Sequence, residues 1–242
     1  MSFEPLTEER IETDSTYDAG TTTQLMWGAR SDVGCVRPHN EDSYLVQSPL
    51  FCVCDGMGGH AAGEVASSIA VETIAKTAPQ SADAAHLAAA VEAANAAVIE
   101  AALNGLGKPG MGCTATCAYI ENDTLAIAHV GDSRAYLPHE GTLIRVTRDH
   151  SYVEELVDAG EITADEARVH PNRSVITRAL GSDPAMYADH FTLHIEEGDR
   201  LILCSDGLSS MIPDSDIENI ATQSSTAQIC VDNLVDAALA AG

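Results

Sequence analysis

Basic residues are scarce in this chain: 12 Lys plus Arg stand against 37 Asp plus Glu, giving a formal net charge of −25 at pH 7 over 242 residues. Such a balance argues against nucleic acid as a partner, because no cationic surface is available to displace phosphate counterions. It argues equally against docking on anionic lipid. No run approaches the ~20 apolar residues of a membrane span, and the N-terminus lacks a basic-then-apolar leader. None of the seven cysteines forms a Cys-x-x-Cys pair, so a structural zinc site is not indicated. No cysteine has an arginine six positions on, which removes the Cys-x₅-Arg loop of cysteine-dependent phosphate chemistry. The bland reading holds for these thiols: buried and reduced, in a cytosolic protein. The glycine-rich stretch near residue 58 lacks the Gly-x-x-x-x-Gly-Lys-Ser/Thr pattern of a nucleotide phosphate cradle.

What is present is one device used three times. Phe51 to Cys54 is a short apolar strand that ends on Asp55 and then Gly56, where the backbone can approach a ligand closely. Leu201 to Ser205 ends in the same way on Asp206-Gly207, and Ile127 to Gly131 delivers Asp132. A single Asp-Gly is usually a turn. Three strand-end carboxylates converge readily in one sandwich, and hard oxygens gathered in that way suit divalent cations.

The rest of the chain fits around them. Residues 1–22 are acidic and polar and are expected to be a mobile tail. Strands are expected at 24–31 and 42–48, a helix at 62–77, and an alanine-rich helix from an N-cap at Ser81 to Leu103. Period-two hairpins follow at 114–130 and 134–147. His129, inside an apolar strand, reads as a satisfied core histidine rather than a ligand. Residues 148–182 break the β pattern, and Thr163 to Glu166 is a capping box. Arg168, Arg173 and Arg178 in this stretch either recruit phosphopeptide or pair with nearby carboxylates. Strands at 186–195 and 200–204 and helices at 214–222 and 225–240 complete the chain. The expected fold is α+β: two antiparallel sheets face to face, flanked by helices in a four-layer α-β-β-α sandwich.

Five ordered blocks carry a resemblance over roughly residues 25–242. They are Ser31-Asp32-Val33-Gly34 through Arg37-Pro38-His39-Asn40-Glu41-Asp42, then Asp55-Gly56-Met57-Gly58-Gly59-His60, and Gly112-Cys113-Thr114-Ala115-Thr116. His129-Val130-Gly131-Asp132-Ser133-Arg134 and Leu203-Cys204-Ser205-Asp206-Gly207-Leu208 complete the set. Together they resemble the bacterial form of the type 2C metal-dependent Ser/Thr protein phosphatases. The resemblance implies a catalytic domain at 23–242 with a small helical flap near 148–182. It implies two Mn²⁺ or Mg²⁺ ions, with Asp55 bridging them, the Gly56 carbonyl on one and Asp206 on the other. Asp132 with Asp206 is implied to hold a third, weaker ion. Glu41 and Asp42 are implied to hold metal-bound waters, and Arg37 to bind phosphate. Divalent cations would also invert the local field of so acidic a protein toward a phosphate ester.

Two features depart from the family pattern. Some relatives have His directly after the Asp-Gly as a candidate general acid, whereas here the residue is Met57, leaving His60 or a water for that task. Relatives also continue into a Gly-x-x-Asp-Asn strand, so this sequence is expected to lack its last strand and one metal-binding aspartate. Two readings stand: an active phosphatase opposing bacterial Ser/Thr kinases, and a catalytically impaired phosphoprotein-binding module on the same fold. The expected partners are phosphorylated proteins, including those kinases. A cytoplasmic monomer without membrane contact by this segment is expected, a reading compatible with a longer membrane-anchored parent.

Overall fold

The structure, a computed structural model, describes residues 15–22, 24–58, 62–139 and 141–242. In chain order the first half comprises β1 (Ser15–Thr21), β2 (Met26–Asp32), β3 (Ser43–Gln47), β4 (Leu50–Cys54), β5 (Gly56–Met57), α1 (Ala62–Thr77) and α2 (Ala84–Leu103). There follow β6 (Gly112–Cys113), β7 (Ala115–Glu121), β8 (Thr124–Val130), β9 (Arg134–His139), β10 (Thr142–Arg145), α3 (Tyr152–Asp158) and α4 (Ala164–Arg168). The chain closes with β11 (Asp189–His194), β12 (Ile202–Cys204), α5 (Asp206–Ser209), α6 (Asp214–Gln223) and α7 (Ala227–Ala241).

The period-two stretches build the sheets. β7 and β8 pair antiparallel from Ala115↔Val130 to Glu121↔Thr124, turning through Asn122 at φ 55°. Asparagine tolerates that left-handed geometry better than most residues. One sheet runs β11-β8-β7-β4-β3 and a second runs β10-β9-β12, while β1-β2 and β5-β6 form two-stranded ribbons.

Three apolar slabs show how these sheets stack. Ile74, Leu87, Val91 and Val98 of α1 and α2 meet Cys52, Cys117 and Ala128 of the five-stranded sheet. On that sheet's opposite face, Ala118, Leu125 and Ile127 meet Ala135 and Leu203 of the second sheet. Tyr136 and Cys204 then meet Ile217 and Leu234 of α6 and α7. Three slabs separate four layers, as the sequence predicts. Each fully buried Leu or Ile contributes about 1.5–3 kcal/mol, so these slabs hold the layers against the repulsion of an acidic surface.

The predicted tail is shorter than the composition suggests. Ser15–Thr21 are strand β1, paired with β2 from Ser15↔Asp32 to Thr21↔Met26. The partner's backbone groups stabilise this strand, and composition cannot reveal them. Residues 1–14, the remainder of the expected tail, lie outside the described residues. The cap of α2 also differs: Asp83, not Ser81, accepts the His86 N–H, at 3.0 Å.

Between β2, β12 and α7 runs a cleft of about 790 Å³ whose lining includes Asp55 and Asp206. The predicted flap contains α3, capped by Ser151, and α4, with the Thr163–Glu166 capping box formed in both directions. Arg168 donates to the Ser209 carbonyl at 3.0 Å, which ties the flap to α5.

Candidate active site

Asp55 leaves the end of β4, whose Leu50, Cys52 and Cys54 are buried on alternate positions. The packed strand therefore fixes where the carboxylate emerges. Its N–H donates to Thr114 Oγ1 at 2.9 Å, and its carbonyl accepts the Thr114 N–H at 2.9 Å. Next along, Gly56 donates to the Glu41 carbonyl at 3.1 Å. A Cβ on Gly63 would lie 2.6 Å from the Gly56 carbonyl carbon. Glycine is needed at this crossing because α1 and β5 touch backbone to backbone.

Asp42 arrives on the loop before β3. Its N–H donates to Asn40 Oδ1 at 3.1 Å, and Asn40 Nδ2 donates to Ser31 Oγ at 2.7 Å. An asparagine bonding the backbone two residues on is a local turn device. Ser205 Oγ donates to Asp42 Oδ2 at 2.7 Å, and the next residue, Asp206, opens α5. Asp132 follows Gly131, whose φ of 106° makes the turn between β8 and β9. Arg134 forks onto Asp149, with Nε at 3.0 Å and Nη2 at 2.7 Å, beside that turn.

Burial and mutual repulsion dominate the electrostatics here. Asp55 is pushed up to about 10, first by desolvation and then by the charges of Asp42, Asp206 and Asp132. Asp132 rises to about 7 through desolvation, then through Asp206 and Asp149. Burial also raises Asp42, against the lowering effect of the Ser205 hydrogen bond. Asp132 Oδ1 is buried and has no hydrogen-bond partner among the described residues.

A divalent cation fits this setting. The donors are hard oxygens, they repel one another, and one buried oxygen has no hydrogen-bond partner among the described residues. Among the described residues, no three His, Cys, Asp or Glu side chains are close enough to chelate one ion unaided. Ligation by one or two carboxylates, completed by retained waters and substrate phosphate, is how Mg²⁺ is commonly held.

The predicted site residues divide accordingly. Asp42, Asp55, Asp132 and Asp206 interact as one cluster, and Gly56 follows Asp55 directly. The Glu41 side chain is 12% exposed, and Arg37 Nη1 lies 3.6 Å from its Oε2. Arg37 itself is 72% exposed at the rim. His60 lies outside the described residues. His129 is indeed a core residue: Nδ1 is 3.0 Å from Thr116 Oγ1 and Nε2 is 3.0 Å from the Arg148 carbonyl. Burial, then the neighbouring His150, lowers its pKa to about 4. Of the flap arginines, Arg178 pairs with Asp189 at 2.6 Å, whereas Arg173 is exposed.

A family model described as protein phosphatase 2C matches residues 28–242. The chain belongs to that family. The Ser/Thr protein phosphatase PstP of Mycobacterium tuberculosis is 42% identical over 205 residues, covering 82% of this chain and 39% of that protein. The chain thus spans about two fifths of that relative's length. The Ser/Thr phosphatase Stp of Listeria monocytogenes is 37% identical over 203 residues, covering 79% of this chain and 81% of that protein. The crystal structure of M. tuberculosis PstP superposes with a TM-score of 0.83 at 37% identity, covering 94% of this chain and 93% of that one. A structure of the PstP catalytic domain in complex with two manganese ions superposes with a TM-score of 0.79 at 35% identity, with coverage of 94% and 93%.

Residue-by-residue reading of the sequence missed the supports of this family's carboxylates. Ser205, Asn40 and Thr114 each hold an aspartate by a hydrogen bond. For Ser205 a clue existed, since it adjoins Asp206. For Thr114 the clue was its place in the Gly112–Thr116 block, but nothing in that block shows that its hydroxyl reaches Asp55.

Proposed function

We propose that this domain hydrolyses phosphoserine and phosphothreonine in proteins, using two Mn²⁺ or Mg²⁺ ions. The observation that carries the reading is the cluster of half-buried Asp42, Asp55 and Asp206 with buried Asp132 in a phosphatase-family fold, Asp132 Oδ1 being unpartnered among the described residues. Bound divalent ions supply a nucleophilic water near neutral pH and offset charge on the phosphoryl oxygens. Asp55, the Gly56 carbonyl and Asp206 would hold the pair, and Asp132 with Asp206 would hold a third, weaker ion. Glu41 and Asp42 would accept hydrogen bonds from water held by the ions. Arg37, exposed at the rim, offers a planar fork to the substrate phosphate and orients it toward the cluster. His60 is assigned to substrate binding in this reading.

The substrates are phosphoproteins, including Ser/Thr kinases, and the domain acts as a cytoplasmic monomer in bacterial signalling. The relatives' names and the two-manganese PstP structure support this reading. Hydrolysis of an aryl phosphate and of a phosphothreonine peptide, with added Mn²⁺ and with excess chelator, tests it. Turnover only with metal is expected. Binding of phosphopeptide without any turnover would favour the binding-module reading instead.

A further inference from the structure

Thr114 lies between β6 and β7, fully buried at 0% exposure, with Cys113 and Ala115 equally buried on either side. A hydroxyl in such surroundings costs free energy unless it is hydrogen-bonded. Thr114 meets that need by bonding to the two segments that carry the metal-binding carboxylates. Its Oγ1 accepts the Asp55 N–H at 2.9 Å, and its own N–H donates to the Asp55 carbonyl at 2.9 Å. The same Oγ1 lies 2.7 Å from Ser133 Oγ, and Ser133 directly follows Asp132.

Two further contacts press the Asp132 turn onto this strand. Thr116 Oγ1 donates to the Ser133 carbonyl at 3.0 Å. A Cβ on Gly131 would lie 2.7 Å from Thr114 Cβ, so the turn packs directly against the threonine. Asp55 and Asp132 are 77 positions apart in sequence and belong to different strand ends, yet one side chain touches the backbone of the first and the neighbour of the second.

We infer that Thr114, with Ser133 as its partner, is a positioning residue that fixes Asp55 relative to Asp132 and so sets the spacing of the metal-binding carboxylates. The inference rests on the metal-dependent reading given above. Metal affinity depends on ligands held in place before the ion arrives, because any reordering on binding weakens the complex. Valine at 114 would fill nearly the same volume while leaving the Asp55 N–H and the Ser133 hydroxyl without their shared partner. Serine would keep the hydroxyl and lose only the methyl group that packs against Gly131.

Three variants, Thr114→Val, Thr114→Ser and Ser133→Ala, are compared with the parent chain. Mn²⁺ binding is measured directly by calorimetry, and p-nitrophenyl phosphate hydrolysis is measured at saturating Mn²⁺. Thr114→Val is expected to bind Mn²⁺ about tenfold more weakly or worse, as the loss of a buried hydrogen-bond partner implies. Its kcat falls while KM for the ester stays within about threefold, since the substrate-facing Arg37 is untouched. Thr114→Ser restores Mn²⁺ affinity to within about threefold of the parent, and Ser133→Ala falls between the two.

Parent-like Mn²⁺ affinity in folded Thr114→Val would overturn the inference. So would a Thr114→Ser variant as impaired as valine, which would assign the effect to packing. Should Thr114→Val not fold, Ser133→Ala decides: unchanged Mn²⁺ binding and kcat in that variant also overturn it. A parent chain that binds Mn²⁺ without hydrolysing the ester would sink the phosphatase reading alone, because the binding comparison among variants still decides the role of Thr114.

Discussion

Ser205 Oγ donates a 2.7 Å hydrogen bond to Asp42 Oδ2 across 163 positions of sequence, linking the loop before β3 to the residue that precedes Asp206. The bond favours the ionised form of a carboxylate that burial otherwise raises. Without it, Asp42 needs a higher pH to ionise. Ser205→Ala should therefore move the acidic limb of the kcat/KM–pH profile upward and lower Mn²⁺ affinity by about tenfold, the scale of a hydrogen bond to a charged group. An unshifted acidic limb would mean that Asp42 does not need this donor.

Asp55→Asn should abolish Mn²⁺-dependent turnover while making the metal-free protein more stable. Aspartate at 55 is held well above its ordinary value by burial and by three neighbouring carboxylates. A group raised in this way destabilises the fold progressively as pH climbs from the unfolded aspartate value toward about 10. Asparagine carries no such penalty. The metal-free variant should melt several degrees above the parent at pH 8, and the gap should narrow toward pH 5. Thermal melts of both proteins in chelator check this, and a lower melt for Asp55→Asn at pH 8 contradicts it.

Metal loading should release protons. At pH 7 Asp55 is largely protonated in the metal-free protein, and Asp132, at about 7, is roughly half so. Both must ionise to bind a cation, so about one to two protons leave per molecule loaded, and apparent affinity rises from pH 6 to pH 8. Calorimetry in two buffers of different ionisation enthalpy measures the number directly. Buffer-independent heats would show that the carboxylates were already ionised.

Arg37→Ala should raise KM for a phosphate ester with little change in metal affinity or melting temperature. The side chain is 72% exposed, and its nearest carboxylate, Glu41, lies at 3.6 Å, so the fold loses little. Exposed pairs of this kind are worth about 0–1 kcal/mol. Steady-state kinetics at saturating Mn²⁺ check the point, and an unchanged KM would return Arg37 to an ordinary rim charge.

The four-layer fold was legible from period and caps. α1 at Ala62–Thr77 and β8 at Thr124–Val130 match their expected bounds, because both are set by local alternation or helical spacing. Strand-end Asp55, Asp132 and Asp206 were legible for the same reason. Hidden from the sequence were contacts made by distance rather than period. β1 is held by its partner's backbone, Thr114 reaches Asp55 across 59 positions, and α5 is too short at 4 residues to show helical spacing.

Six of the seven cysteines are buried, and Cys35 alone is exposed, two residues before Arg37 at the rim of the cleft. A thiol-reactive fluorophore under native conditions therefore has one ready point of attachment, beside the residue assigned to phosphate. The unmutated protein can carry a reporter that follows ligand arrival in real time, whether or not any bond is subsequently broken.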